Sequence, residues 1–247
     1  MGSTNAREME PGKYTVILEP AASVDLLSNM LRNMGQRSAD EGRSFLSKKT
    51  EEGKDKADGA PTNRLGEKMF DERVTIYSDP LHSECPTAAF AGDGHPVVHT
   101  KWIDKGVITA MPNSRYWAEK TGSKYYPTAY AGASRFGGNR QMIMEGGKQS
   151  LEEMIKDTRR GVLVTRLWYI RALDPQTLLY TGLTRDGTFY IENGEIKYPI
   201  KNFRFNESPI VILNNIEALG KPQRINGSMI PPMKIRDFTF SSLSDAV

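Results

Sequence analysis

Phe189-Tyr190-Ile191-Glu192-Asn193-Gly194-Glu195-Ile196-Lys197-Tyr198 holds two β-prone runs on either side of Asn193-Gly194. Asn-Gly readily supplies the two left-handed residues of a tight hairpin turn, so an antiparallel pair is predicted here. Upstream, Val162 to Ile170 is β-branched and aromatic and reads as another strand. Before it, Ser150 and Glu153 have capping-box spacing ahead of Met154 and Ile155, while Arg159 and Arg160 fall where a helix C-terminus favours cations. Downstream, Ser208 caps and Pro209 opens a predicted helix whose Ile210, Leu213, Ile216 and Leu219 share a face, with Gly220 closing it. Met233 to Phe240 reads as the last strand, and its apolar parity changes between Ile235 and Phe238, which predicts a bulge near Asp237.

The first half adds Lys13 to Glu19 as a strand ended by Pro20, then a helix capped by Ser23, with Val24, Leu27, Met30, Leu31 and Met34 on one face and Gly35 at its end. Arg43 to Leu46 is read as an extension of this helical region. Val74 to Tyr77 is a short strand followed by the Asp79-Pro80 turn, and Val97–Ile103 and Val107–Met111 flank a turn at Asp104-Lys105-Gly106. Ser114 to Gly122 is a short capped helix. Residues 1–12 are expected as a disordered tail or tag, residues 13–247 as one domain, and the stretches near 48–63 and 121–141 as mobile loops. Strands in runs with three or four packed helices make an α+β fold with largely antiparallel mixed sheets.

The chain has 247 residues, with 33 Lys+Arg against 30 Asp+Glu, three His and one Cys. At this length a core needs neither disulfide nor structural metal. The acids and bases interleave, which argues against a nucleic-acid partner, and no apolar run approaches a membrane span. A single cysteine points to the reducing cytoplasm. There is no G-x-S-x-G elbow, and three His with one Cys leave few routes to a catalytic zinc. His95 and His99 stand near His82, Glu84 and Cys85 in sequence, with Pro96 between the two histidines arguing against a helical zinc motif.

The densest polar and aromatic interleaving runs from Thr165 to Arg171 and from Thr181 to Gly187. Regular alternation would put Thr165, Leu167, Tyr169 and Arg171 on one face, and Arg166, Trp168 and Ile170 on the other. Two readings stay open. One is a sheet with one buried and one amphipathic face, its arginines satisfying acids such as Asp174 and Asp186. The other is a groove in which Arg166, Tyr169 and Arg185 meet a carboxylate or backbone carbonyls. Trp102, Tyr116, Trp117, Tyr125 and Tyr126 form an aromatic group that suits either an interface or a partial core.

Val164 to Arg171, Asp174-Pro175, Tyr180 to Gly187, Ile191 to Gly194, Asn214 to Gly220, Asp71 to Pro80 and Phe238-Thr239-Phe240 together resemble the C-terminal domain of the TldD/PmbA family. The resemblance implies the C-terminal half of a longer chain. It also implies a cytoplasmic metallopeptidase assembled from TldD and TldE (PmbA) subunits that acts on unfolded peptides. In the catalytic TldD branch this domain opens with His-Glu-x-x-x-His, and a cysteine near the C-terminus adds a zinc ligand. Here that region reads Leu18-Glu19-Pro20-Ala21-Ala22-Ser23, and Lys221 to Val247 holds no cysteine.

The chain therefore resembles the zinc-free TldE side. The expectation is a non-catalytic subunit without cofactor, zinc being confined to a TldD-like partner. It would pair with that partner or with a second copy, and bind an unfolded peptide as an added strand beside Val162–Arg171, near Arg166, Tyr169 and Arg185. The alternatives are an active zinc peptidase using His95, His99 and a carboxylate, and a nucleic-acid-associated regulator.

Overall fold

The computed structural model describes residues 5–48, 63–127 and 141–244. In chain order the first elements are β1 (Gly12–Leu18), α1 (Pro20–Arg32), α2 (Gln36–Asp40), β2 (Ile76–Ser78), β3 (Thr100–Asp104) and β4 (Val107–Ile108). They are followed by α3 (Arg115–Thr121), β5 (Ile143–Met144), α4 (Leu151–Lys156), β6 (Arg160–Asp174), β7 (Leu179–Glu192) and β8 (Glu195–Pro199). The last are β9 (Phe203–Glu207), α5 (Pro209–Asn214), β10 (Ile216–Leu219), β11 (Gln223–Ile225), β12 (Ser228–Ile230) and β13 (Met233–Leu243). The α+β class is as the sequence predicts, with the five-residue α2 bringing the helices among the described residues to five.

Strands β1, β6, β7, β9 and β13 pair in that order, and β13 pairs again with β1, so the five close into a barrel. Within the ring only β1–β6 is parallel. β8 extends the barrel from β7 and β10 extends it from β13. The second sheet runs β11-β12-β5-β2-β3-β4.

Closure depends on β13 changing partners along its length. On one side β13 holds β1 from Met233 to Phe240, and on the other it holds β10 first and β9 from Phe240 onward. The predicted bulge lies at this switch, with Asp237 at φ +57°. Just past it, the buried Glu207 carboxylate at the end of β9 accepts the Thr239 N–H at 2.6 Å. Inside the barrel Phe203 stacks on Phe240 at 4.5 Å, with Phe238 at 5.1 Å from Phe240 and Phe205 at 5.7 Å from Phe238. Each such ring is worth about 1.5–3 kcal/mol on burial.

The Asn193-Gly194 turn forms as read, with φ +52° and +80°, and the Ser150–Glu153 capping box and the Ser114 cap with left-handed Gly122 are also present. Lys105 and Gly106 both take positive φ in the β3–β4 turn, and a Cβ at Gly106 would meet the Phe70 carbonyl oxygen at 2.1 Å. Four sequence expectations need correction. Arg43 to Leu46 does not extend the helical region, since α2 ends at Asp40 and the chain turns there. Helix α1 begins at Pro20, not after Ser23, because a first-turn proline lacks only an N–H that has no helical partner. Ser23 lies inside the helix, and Gly35 is the N-cap of α2. The helix from Pro209 ends at Asn214, and Ile216–Leu219 is strand β10 on β13.

Arg7, in the segment expected as a tail, bridges to Ile200, with its N–H 3.0 Å from the Pro199 carbonyl and its guanidinium over Tyr198. Residues 49–62 and 128–140, most of the two stretches expected as mobile loops, lie outside the described residues. Among the described residues no helix is long and apolar enough to cross a membrane.

Candidate functional site

The outer part of β6 meets α1 at a shallow cavity of about 220 Å³, lined by Asp25, Asn29 and Arg32 of the helix and by Arg166, Leu167 and Tyr169 of the strand. The β6 edge expected to be free is occupied over Gly161–Val164, where β1 pairs with it in parallel. That corrects the first part of the added-strand expectation. Beyond Val164 the same edge turns toward the N-terminal half of α1, and Asp25 Oδ2 accepts the Leu167 N–H at 3.4 Å.

Arg166 donates from Nε to that same Asp25 oxygen at 3.0 Å across a separation of 141 residues. Its acid is therefore Asp25, and not Asp174 as proposed from the sequence. The Asp25 carboxyl lies above its ordinary range because burial outweighs the pull of Arg166. Arg32 donates to Asn29 Oδ1 at 2.8 Å. Arg185 does sit beside Asp186, at 3.4 Å, and its guanidinium covers the Trp168 ring at 4.0 Å.

Regular alternation fails at Tyr169. Trp168 pairs with Leu183 and Arg171 with Thr181, so Tyr169 and Ile170 together face Gly182. Gly182 is required there, since a Cβ would fall 2.5 Å from the Phe205 ring. Tyr169 takes φ +54°, and both it and Trp168 are exposed. The structure thus gathers Arg166 and Tyr169 at the cavity and puts Arg185 beside it on Trp168. Asp25, Arg32, Trp168 and Arg171 complete the neighbourhood. Sequence reading missed Asp25 and Arg32 because nothing local on α1 links them to β6.

Glu19, which falls on the glutamate of the His-Glu-x-x-x-His pattern when the resemblance is followed, has its carboxyl raised above the ordinary range by burial. Around it, Leu18, Ala22 and Ser23 are buried and offer no imidazole. The other candidates are scattered over different contacts. His95 packs edge-on against Tyr125 and lies 3.4 Å from Asp93, His99 lies against Tyr77, and His82 Nδ1 is 3.4 Å from the buried Cys85 thiol. Among the described residues no three His, Cys, Asp or Glu side chains converge on a metal position. The donors at Leu18–Ser23 do not fit a catalytic zinc, which needs three protein ligands. Of the aromatic group, Trp102 and Trp117 are buried in the core, whereas Tyr116 is exposed.

All but the last residue of the barrel, together with the flanking helices, lies within a stretch that matches a metallopeptidase-related C-terminal domain. The chain belongs to the PmbA/TldD family: residues 11–242 match the model described as the PmbA/TldA metallopeptidase C-terminal domain. It is 27% identical over 173 residues to a metalloprotease of Methanothermobacter thermautotrophicus, covering 66% of this chain and 36% of that one. To the metalloprotease PmbA of Escherichia coli O157:H7 it is 26% identical over 180 residues, covering 69% and 37%.

Among solved structures, TldE from Thermococcus kodakarensis superposes with a TM-score of 0.78 at 22% identity, over 96% of this chain and 52% of that one. A Bacteroides thetaiotaomicron protein described as a modulator of DNA gyrase gives 0.77 at 24% identity, over 96% and 49%. The chain thus spans little more than a third of the curated relatives' length and about half of the solved structures'.

Proposed function

We propose that this chain is a non-catalytic, peptide-binding component of a cytoplasmic metallopeptidase system. It pairs with a TldD-like catalytic subunit or with a second copy, and helps to enclose an unfolded peptide. The observation that carries this reading is the end of β1 and the first turn of α1, where Leu18 and Ser23 stand at the two positions that the resemblance gives to histidine ligands in the catalytic branch. A carboxylate base needs an activated water to work on, and these neighbours supply no metal ligand to activate one.

The peptide lies along the groove between α1 and the outer part of β6. Arg166, Tyr169 and Arg185 are the polar groups nearest to it, and backbone recognition allows many sequences to be accepted. A guanidinium suits a carbonyl or carboxylate because its fork is rigid and always charged.

The test is elemental analysis of the purified protein together with cleavage and binding of a labelled unfolded peptide, alone and with a TldD-like protein. The expected result is binding without cleavage by this chain alone, and less than stoichiometric zinc. One zinc per chain with chelator-sensitive cleavage would overturn the proposal in favour of an active peptidase.

A further inference from the structure

At the mouth of the groove β6 carries a backbone conformation that an aromatic residue seldom adopts. Tyr169 at φ +54° crowds its own Cβ against the chain. Such strain persists where surrounding structure imposes it, and it clusters at binding sites. Here the bulge opposite Gly182 brings two neighbouring side chains out together, although strand neighbours ordinarily point to opposite faces. Trp168 is 42% exposed and Tyr169 51%, with their rings 5.4 Å apart. Trp102 and Trp117 are buried at 4% and 6%, so the exposure of Trp168 is not how this chain treats its other tryptophans.

Both rings are covered by cations, with Arg185 4.0 Å above Trp168 and Arg171 4.3 Å above Tyr169. Stacking uses the flat face of a guanidinium and leaves its N–H edge available. Arg171 gives one donor to the Tyr169 hydroxyl at 2.7 Å, and Arg185 lies 3.4 Å from Asp186. Each guanidinium has five N–H donors, so most remain for a ligand. With Arg32 and Arg166 in the adjoining cavity, four arginines stand against Asp25 and Asp186. The surplus is positive, and it is arranged as forks beside aromatic faces.

We infer that the Arg185, Trp168, Tyr169 and Arg171 strip is a carboxylate-reading subsite for a bound peptide. The peptide's C-terminal carboxylate, or an Asp or Glu side chain, is gripped by the guanidinium edges while the neighbouring residue lies on the rings. This rests on the peptide-binding reading above. Aromatic and arginine side chains also suit single-stranded nucleic acid. A phosphate track, however, calls for uncompensated cations along its length, and here two aspartates sit among the arginines.

Fluorescence anisotropy with the 247-residue protein tests this, using one labelled peptide sequence in four forms. The forms have a free C-terminus, an amidated C-terminus, an amidated C-terminus with an internal Glu, or the same with Gln. The expected result is that at least one carboxylate form binds about tenfold more tightly than its uncharged counterpart, and the pair showing the difference identifies the source.

Tyr169→Gly separates binding from folding, because glycine accepts the positive φ without steric cost. It is expected to keep its thermal midpoint and lose the preference. Arg171→Gln and Arg185→Gln are expected to lose it too, and they decide the matter if the glycine variant unfolds, while Val211→Ser on α5 keeps it. Equal binding of all four forms, unchanged in the variants, overturns the subsite and leaves peptide binding standing. No binding of any form overturns both. A single-stranded oligonucleotide bound through this strip, more tightly than any peptide and lost with rising salt, overturns the inference in favour of nucleic acid.

Discussion

The two ends of strand β6 follow opposite rules. Near Gly161–Val164 the strand is buried, with β1 on one edge and β7 on the other. Val162 and Val164 belong to the main core, while Leu163 packs on the other face with Ile17, Met154 and Ile191. From Trp168 to Leu173 most side chains are exposed, one edge borders the groove, and a left-handed tyrosine interrupts the ladder. Barrel closure uses only part of the strand. The remainder, released from packing on both faces, tolerates strain, stacked cations and a half-buried aspartate. Two-sided burial is concentrated in one half, and exposed rings stacked with arginines in the other.

The largest effect is expected where burial is two-sided. Leu163→Ala should cost about 2–5 kcal/mol by chemical denaturation, through lost transfer energy and a residual cavity. A cost like that of a surface change would break the contrast. Gly182→Ala comes next, since its Cβ would sit 2.5 Å from the Phe205 ring. Overpacking there should cost about 1–3 kcal/mol, and a crystal structure should show the ring displaced or the bulge altered.

Smaller effects separate two Asp–Arg pairs by sign. At Asp25 burial wins and the folded pKa lies above 3.8, so its contribution to stability is full below 3.8 and is lost as pH rises through the raised value. At Asp71 the Arg73 guanidinium wins, bonding both oxygens at 2.7 and 2.9 Å and lowering the pKa to about 2. That contribution is present above 3.8 and is lost as pH falls toward about 2. Denaturation at several pH values should show Asp71→Asn flattening the acid limb. Asp25→Asn should instead remove the gain that the unaltered protein shows on descending from neutrality toward 3.8. The smallest effect belongs to Leu173→Ser, at a 55% exposed position, where a change within about 0.5 kcal/mol is expected.

Much of the buried framework was legible because its signals are local. Asn193-Gly194, the Ser150–Glu153 box and the Ser114–Gly122 helix each encode their conformation within a few residues. The parity break near Asp237 also reads directly as a bulge. Pro20 misled because a proline that ends a strand also suits the first turn of a helix. Ile216 and Leu219 continue the three- and four-residue spacing of α5, yet they bind β13 because pairing there satisfies their backbone.

The groove was half legible. Arg166, Tyr169 and Arg185 stand out by residue type, but Asp25 meets Arg166 only through the packing of α1. Nothing in the local sequence announces a tyrosine at positive φ. That conformation falls where the β6–β7 register shifts between Trp168 and Arg171, which depends on the partner strand and not on the residues beside Tyr169.

Because residues 12–18 pair with residues 233–240, the ring is joined by segments made far apart in time. At roughly 5–20 residues per second, a ribosome takes on the order of ten seconds or more between them. Through that interval the β1 edge that will receive β13 has no partner from its own chain, and an unpaired edge invites pairing between molecules. A nascent chain stalled before residue 233 is therefore a natural client for a chaperone or a protease. Nascent chains arrested at successively later positions should show protease resistance of the β1 segment arriving abruptly, only in those long enough for β13 to have left the exit tunnel.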